Sequence, residues 1–179
     1  MSRVLPAGRR LRWMTAVAVP ALLSPLAGCS SSSTAVEACM AKQATSVGSV
    51  DLTGTYTGEG DAKAVTLTLR PPVGRSGGSV TVRNWPTGDW YRSELGDTFN
   101  GSGTWDVDYS GGSGKPPHVS LSLTSPRLFL NDDTLDKLSI AEGSGRTYLY
   151  EDDDPDVCPK FRLKMTSSGA PGPGTKSSR

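Results

Sequence analysis

The sequence predicts an all-β domain, a small antiparallel meander of about eight strands. Short stretches of alternating apolar and polar residues recur from Leu52 to Met165, the pattern of half-buried strands. Gly/Pro-rich segments separate them, in a chain of 179 residues with 21 Gly and 13 Pro. No apolar stretch of helical length crosses between consecutive strands, which argues against a parallel α/β fold.

The N-terminal segment stands apart from this pattern. Arg3, Arg9, Arg10 and Arg12 form a basic start without acids, and Trp13 to Ala27 carries no charge. Pro20 and Pro25 interrupt this run, which is too short to cross ~30 Å of hydrocarbon as a helix. A short apolar run behind a basic start predicts a secretory signal over residues 1–28. Leu26-Ala27-Gly28-Cys29 resembles the lipobox of bacterial lipoproteins. That resemblance implies a diacylglycerol thioether on Cys29, cleavage just before it, and an acyl group such as palmitate on the freed amine. The mature protein would begin at Cys29 and sit on the extracytoplasmic face of the cell membrane. Arg9-Arg10 resembles a twin-arginine signal, which Leu11-Arg12-Trp13 fits loosely, so the general secretory route is the expected one.

Loss of residues 1–28 takes Lys+Arg from 19 to 15 against 18 Asp+Glu, a formal net charge of −3. No basic patch is visible, so no nucleic-acid partner is expected, and membrane attachment must come from lipid.

Residues 29–47 form the next unit. Ser30 to Thr34 is a polar tether, and Ala35 to Val47 is expected to contain a short helix. With Cys29 lipidated, Cys39 and Cys158 remain as an even pair in an oxidising setting. A disulfide between them is expected, with two free buried thiols as the alternative. Two cysteines and one distant His118 do not make a zinc set.

The β domain is expected over residues 48–166. Leu52, Gly54 and Tyr56 alternate in the first strand, and Val65, Leu67 and Leu69 in the second. Val80 and Val82 mark the third. In the fourth, Trp105, Val107 and Tyr109 share a face opposite Asp106 and Asp108. Val119, Leu121 and Leu123 mark the fifth, and Leu138 and Ile140 the sixth. Tyr148 and Tyr150 mark the seventh, where Leu149 leaves the inner face undecided. Phe161, Leu163 and Met165 alternate with Arg162 and Lys164 in the last. Ser167 to Arg179 has no apolar face and is expected to be a disordered tail.

Hairpin-type turns over PPVGRSGG, SGGSGKPP and GSG join these strands in sequence. Eight such strands can close into a barrel, which removes exposed edges; a two-sheet sandwich is the alternative. A barrel of short strands should fill with Tyr56, Leu67, Trp105, Leu121 and Phe161, leaving at most a shallow mouth.

Gly54-Thr55-Tyr56 and Gly103-Thr104-Trp105 resemble the Gly-x-Trp opening of lipocalin and calycin barrels. A glycine admitting close approach beside an aromatic core residue gives the same pattern. The lipobox together with LTGTYTG, NGSGTWDV and YLYEDDDPDVCPKFRLKM resembles small, mostly uncharacterised actinobacterial lipoproteins. That resemblance places Asp154-Pro155-Asp156 in a turn before a last strand bearing Phe161 and Lys164. Asp153 stands where the group has glycine. The resemblance implies no activity.

Two stretches are candidates for chemistry. Trp85, Trp90 and Tyr91 lie in a loop-like segment where aromatics either close one end of the barrel or stack on a ligand. Glu151 to Asp156 carries five carboxylates, and Asp152, Asp154 and Asp156 are a weak calcium candidate without EF-hand spacing. A solvated turn opened by Asp-Pro is the alternative. There is no Gly-x-Ser-x-Gly elbow, no catalytic constellation is visible, and no cofactor is expected. The expected function is non-catalytic binding of a small ligand, a wall polymer or a protein at the cell envelope. An accessory role through protein contacts alone is the alternative, and a surface hydrolase is the third reading.

Overall fold

The computed structural model describes residues 35–72, 78–109, 115–152, 154 and 156–169. The expected signal segment and serine tether, with Cys29, and residues 170–179 lie outside the described residues. The short N-terminal helix is α1 (Ala35–Cys39), and it is followed by a two-residue strand, β1 (Lys42–Gln43).

Eight further strands follow: β2 (Gly54–Gly60), β3 (Thr66–Pro72), β4 (Gly78–Pro86), β5 (Thr98–Asp108), β6 (His118–Ser125), β7 (Lys137–Gly143), β8 (Arg146–Tyr150) and β9 (Phe161–Ser168). Each pairs antiparallel with the next, and β9 returns to pair with β2, so the meander closes into a barrel. Closure decides against the sandwich: each of the eight strands has a partner on both sides.

The interior follows from alternation. Tyr56, Leu67, Leu69, Val80, Val82, Trp105, Leu121, Leu138, Ile140, Leu149 and Leu163 point inward and are almost wholly buried. Trp105 Nε1 donates to the Arg70 carbonyl at 2.8 Å, and the Tyr56 hydroxyl to the Leu52 carbonyl at 2.8 Å, so both large side chains are buried with their polar atoms satisfied. Burial pushes the Tyr56 phenol far above its ordinary range, with Glu142 adding to the shift. The inward side chains form one contiguous apolar cluster inside the barrel.

Two features extend strands beyond their sequence-level limits. β5 begins at Thr98, well before Trp105, because its inward positions include Gly101 and Gly103, which carry no apolar signal. In β4 the register against β5 shifts between Val82 and Trp85. Asn84 takes the extra step there at φ 52°, a left-handed conformation that Asn tolerates better than most residues. Its backbone N–H donates to Asn100 Oδ1 at 3.0 Å, and its Nδ2 to the Ala64 carbonyl at 2.9 Å. The bulge turns Trp85 inward, onto the face of Val80 and Val82.

Several boundaries differ from expectation. The helix stops at Cys39, and residues 44–53 run irregularly across the end of the barrel where β2 starts, with Ala44, Val47 and Leu52 in the inner core. The first strand of the barrel thus starts at Gly54, with Leu52 already packed in the inner core. Tyr109 lies past the end of β5 and is 57% exposed, not inward; its hydroxyl donates to the Val47 carbonyl of this plug. The last strand runs to Ser168, so Ser167 and Ser168 belong to the sheet, paired with Thr55 and Gly54. Backbone bonding to β2 holds them without an apolar side chain, and a Cβ on Gly54 would fall 2.2 Å from the Ser167 carbonyl oxygen.

β8 is buried on both faces. Leu149 points into the barrel, while Tyr148 and Tyr150 point outward and are covered by α1. Val36, Met40 and Ala41 pack there on Ala141, Tyr148 and Tyr150, forming a second apolar cluster outside the barrel wall. β1 pairs with the end of β7, Lys42 opposite Glu142 and Gln43 opposite Ala141, beyond the stretch that β6 reaches. The Cys39–Cys158 disulfide is formed, with Cα atoms 5.9 Å apart, and joins α1 to the loop before β9.

Candidate functional site

The loops at the end of β4, around residues 87–97 and 126–136, gather at one mouth of the barrel. The loop before β7 folds across this mouth as a lid. Trp85 Nε1 donates to the Leu135 carbonyl at 3.0 Å, and Thr134 Oγ1 to the Pro86 carbonyl at 2.9 Å. Trp85 also meets Phe161 edge-on, with ring centroids 5.6 Å apart. Gly88 is required where the lid crosses, since a Cβ there would fall 1.7 Å from the Asp133 carbonyl oxygen.

A 3-10 turn (Asp89–Tyr91) and the one-turn helix α2 (Arg92–Leu95) then carry the chain around the rim. Tyr91 is half-buried. Its ring meets Phe129 edge-on at 5.3 Å, Phe129 stacks on Phe99 at 4.8 Å, and the Arg127 guanidinium lies 4.1 Å from the Tyr91 ring centre. Glu94 pairs with Arg127, and the Tyr91 hydroxyl lies 3.3 Å from Asp133 Oδ2 as its donor.

The three aromatic candidates therefore part company. Trp85 is no ligand contact: the Asn84 bulge turns it into the core, where it is wholly buried. Tyr91 is a packing residue of the lid. Trp90 alone stays open, 83% exposed.

Trp90 borders an open hollow of ≈ 970 Å³ between the lid, the β2–β3 turn and the loop before β9. Among the described residues seven carboxylates line it, against the cations Arg92, Lys137 and Lys160. Several of these carboxylates already hold the lid together. Asp132 pairs with Lys137 at 3.2 Å, Asp133 accepts the Leu130 N–H at 2.8 Å, and Asp136 accepts the Asp132 N–H at 3.0 Å. Asp89 pairs with Arg92 at 3.0 Å on the open rim. Asp61 and Asp152 face them from the opposite loops.

The calcium candidates are not assembled into a site. Asp152 lines the hollow, whereas Asp154 accepts the Asp156 N–H at 2.9 Å, a local turn of the kind Asp favours. Among the described residues no group of three or more His, Cys, Asp and Glu gathers as a metal site. His118 opens β6 and lies 3.4 Å from Asp108 on β5, across the strand pair.

A second, smaller hollow of ≈ 370 Å³ lies at the opposite end, beside the plug. Asp51, Tyr109 and Glu142 line it. Burial pushes the Glu142 carboxyl above its ordinary value, and the Asp51 charge adds to this. Nothing in the sequence pairs residues 51 and 142; the β1–β7 pairing and the plug bring them together. Among the described residues no helix is long and apolar enough to cross a membrane. Comparison with protein-family models, curated proteins and solved structures finds no match to this chain.

Proposed function

We propose that this chain is a lipid-anchored, extracytoplasmic binding module that catalyses no reaction and takes its ligand at the mouth hollow. The observation that carries this reading is Trp90, an indole 83% exposed at the edge of an open concavity rich in hydrogen-bonding side chains. A large aromatic left in water beside a filled core has no packing role, and stacking on a ligand face is the use its chemistry offers. The short polar side chains around it, Thr87, Asp89 and Asp152 among them, suit a hydroxyl-rich ligand such as a wall saccharide. The lipobox resemblance at Cys29 supports attachment to the membrane by lipid, with stable anchoring requiring more than one acyl chain.

Titration of the chain with soluble wall saccharides, followed through indole fluorescence and amide shifts of residues 87–92, tests the binding reading. Saturable shifts that vanish in Trp90→Ala support it; no response to any fragment removes it. Mass spectrometry of the mature protein tests the anchor, and an unmodified Cys29 removes that part.

A second reading has its own observation. Leu128 and Leu130 are 62% and 65% exposed on the lid loop, flanking buried Phe129. An apolar rim of this kind suits a protein partner and supports an accessory role through contacts alone. Leu128→Ser with Leu130→Ser separates the readings, since it weakens a protein contact and leaves saccharide binding at Trp90 unchanged.

A further inference from the structure

We propose that α1 and β1 form a strap locked onto the barrel by Cys39–Cys158, and that a dithiol reductant releases this strap while the barrel stays closed. The barrel ring runs from β2 through β9 and back to β2, and neither α1 nor β1 is a member of it. The two apolar clusters share no residue: Val36, Met40 and Ala41 pack on the outer wall, while the inner core holds Trp85, Trp105 and Leu149.

Without the disulfide the strap is weakly held. Its non-covalent anchors include those three apolar side chains, the two-residue pairing of β1 with β7, and a polar side-chain contact between Gln43 and Tyr150. Ordering the segment from Ala35 to Gln43 costs conformational entropy, which the covalent link to Cys158 helps to offset. A five-residue helix is far below the length at which a helix is stable in water by itself. The lock is also reachable: Cys39 is exposed and Cys158 half-buried.

The chemistry is ordinary exchange. One thiolate of the dithiol attacks a sulfur of the Cys39–Cys158 bond, forming a mixed disulfide and expelling the other cysteine as a thiolate. The second reductant thiol then closes the reductant's own disulfide and expels the remaining cysteine. Two electrons and two protons pass to Cys39 and Cys158, and the dithiol is oxidised.

Release stops at Ala44, because Ala44, Val47 and Leu52 belong to the inner core and the plug stays in place. It uncovers Tyr148, Tyr150 and the β7 edge at Ala141–Glu142. The proposal is independent of lipid on Cys29. With that lipid in place, release adds residues 35–43 to the length of chain between Cys29 and the barrel.

Hydrogen exchange on the full chain, oxidised and after reduction with dithiothreitol and alkylation, tests this. Amides of residues 36–43 are expected to exchange about tenfold faster or more after reduction, with β4 and β5 still protected. The Tyr150 phenol, pushed up to about 12 chiefly by burial, is expected to fall toward its ordinary ~10 as the strap leaves. Cys39→Ser with Cys158→Ser should reproduce both changes without reagent and no longer respond to dithiothreitol. Unchanged protection of residues 36–43 would overturn the proposal, and so would loss of protection across β4 and β5 on reduction.

Discussion

Trp85 Nε1 donates to the Leu135 carbonyl at 3.0 Å, so the last turn of β4 holds down the loop that covers the barrel mouth. The bond links segments far apart in sequence and is shielded by Phe161 against the same indole. Trp85→Ala removes both the ring and the bond. It should destabilise by about 3–5 kcal/mol, the range for a large buried aromatic. Trp85→Phe keeps most of the packing but leaves the Leu135 carbonyl without its donor, and should cost about 1–3 kcal/mol. Urea denaturation of the two variants checks both the size and the order.

Trp90 should behave in the opposite way. Its side chain is 83% exposed, so Trp90→Ala should change stability by no more than about 0.5 kcal/mol. Saccharide binding at the mouth should be lost in the same variant. Thermal melting and ligand titration on one sample separate the two effects, and a large fall in melting temperature would return Trp90 to the packing residues.

Asn84 sets the direction of Trp85. At φ 52° a β-branched residue is strained, and the side-chain bond from Asn84 Nδ2 to the Ala64 carbonyl is lost on substitution. Asn84→Val should therefore cost about 2–3 kcal/mol, and Asn84→Gly, which fits the backbone and keeps the main-chain bond, less. Chemical denaturation ranks them; equal costs would show that the side-chain bond, not the backbone conformation, dominates.

Glu142 predicts a pH dependence. Its carboxyl is raised above the ordinary value in the fold, by burial and then by Asp51, so the folded chain binds its proton more tightly than the unfolded one. The associated stability is fully present below the unfolded value near 4.5 and is lost as pH rises through the raised one. Glu142→Gln should flatten the stability profile across that window and leave the slope below it unchanged. Melting temperatures taken across mildly acidic pH check the sign.

Much of the barrel is legible in the sequence because strands carry their burial pattern locally. Leu67 and Leu69, Leu121 and Leu123, and Phe161 and Leu163 each alternate, and each lies inward in its strand. The pattern fails where something other than apolar side chains fills the inner face. Gly101 and Gly103 conceal the first half of β5, and the Asn84 bulge breaks the period just before Trp85. β1 is too short to carry a period at all.

The candidate site was less legible. The stretch from Asn84 to Tyr91 stands out by composition, yet exposure alone sorts a core residue, a lid residue and an open indole, and exposure is set by chains remote in sequence. Phe129, Leu135 and Asp133 do that sorting, and none of them is marked as a neighbour of residues 85–91.

The sequence by itself determined most of the strand-forming segments and the hairpin order, since each depends on residues close in the chain. Only the tertiary structure decided that the sheet closes through β9 and β2 and that Leu149 faces in while Tyr148 and Tyr150 face out under α1. It alone decided that Trp90, and not Trp85, stays in water. The reason is physical: alternation divides a strand into two faces, but which face is buried, and by what, depends on the partner that arrives from elsewhere in the chain.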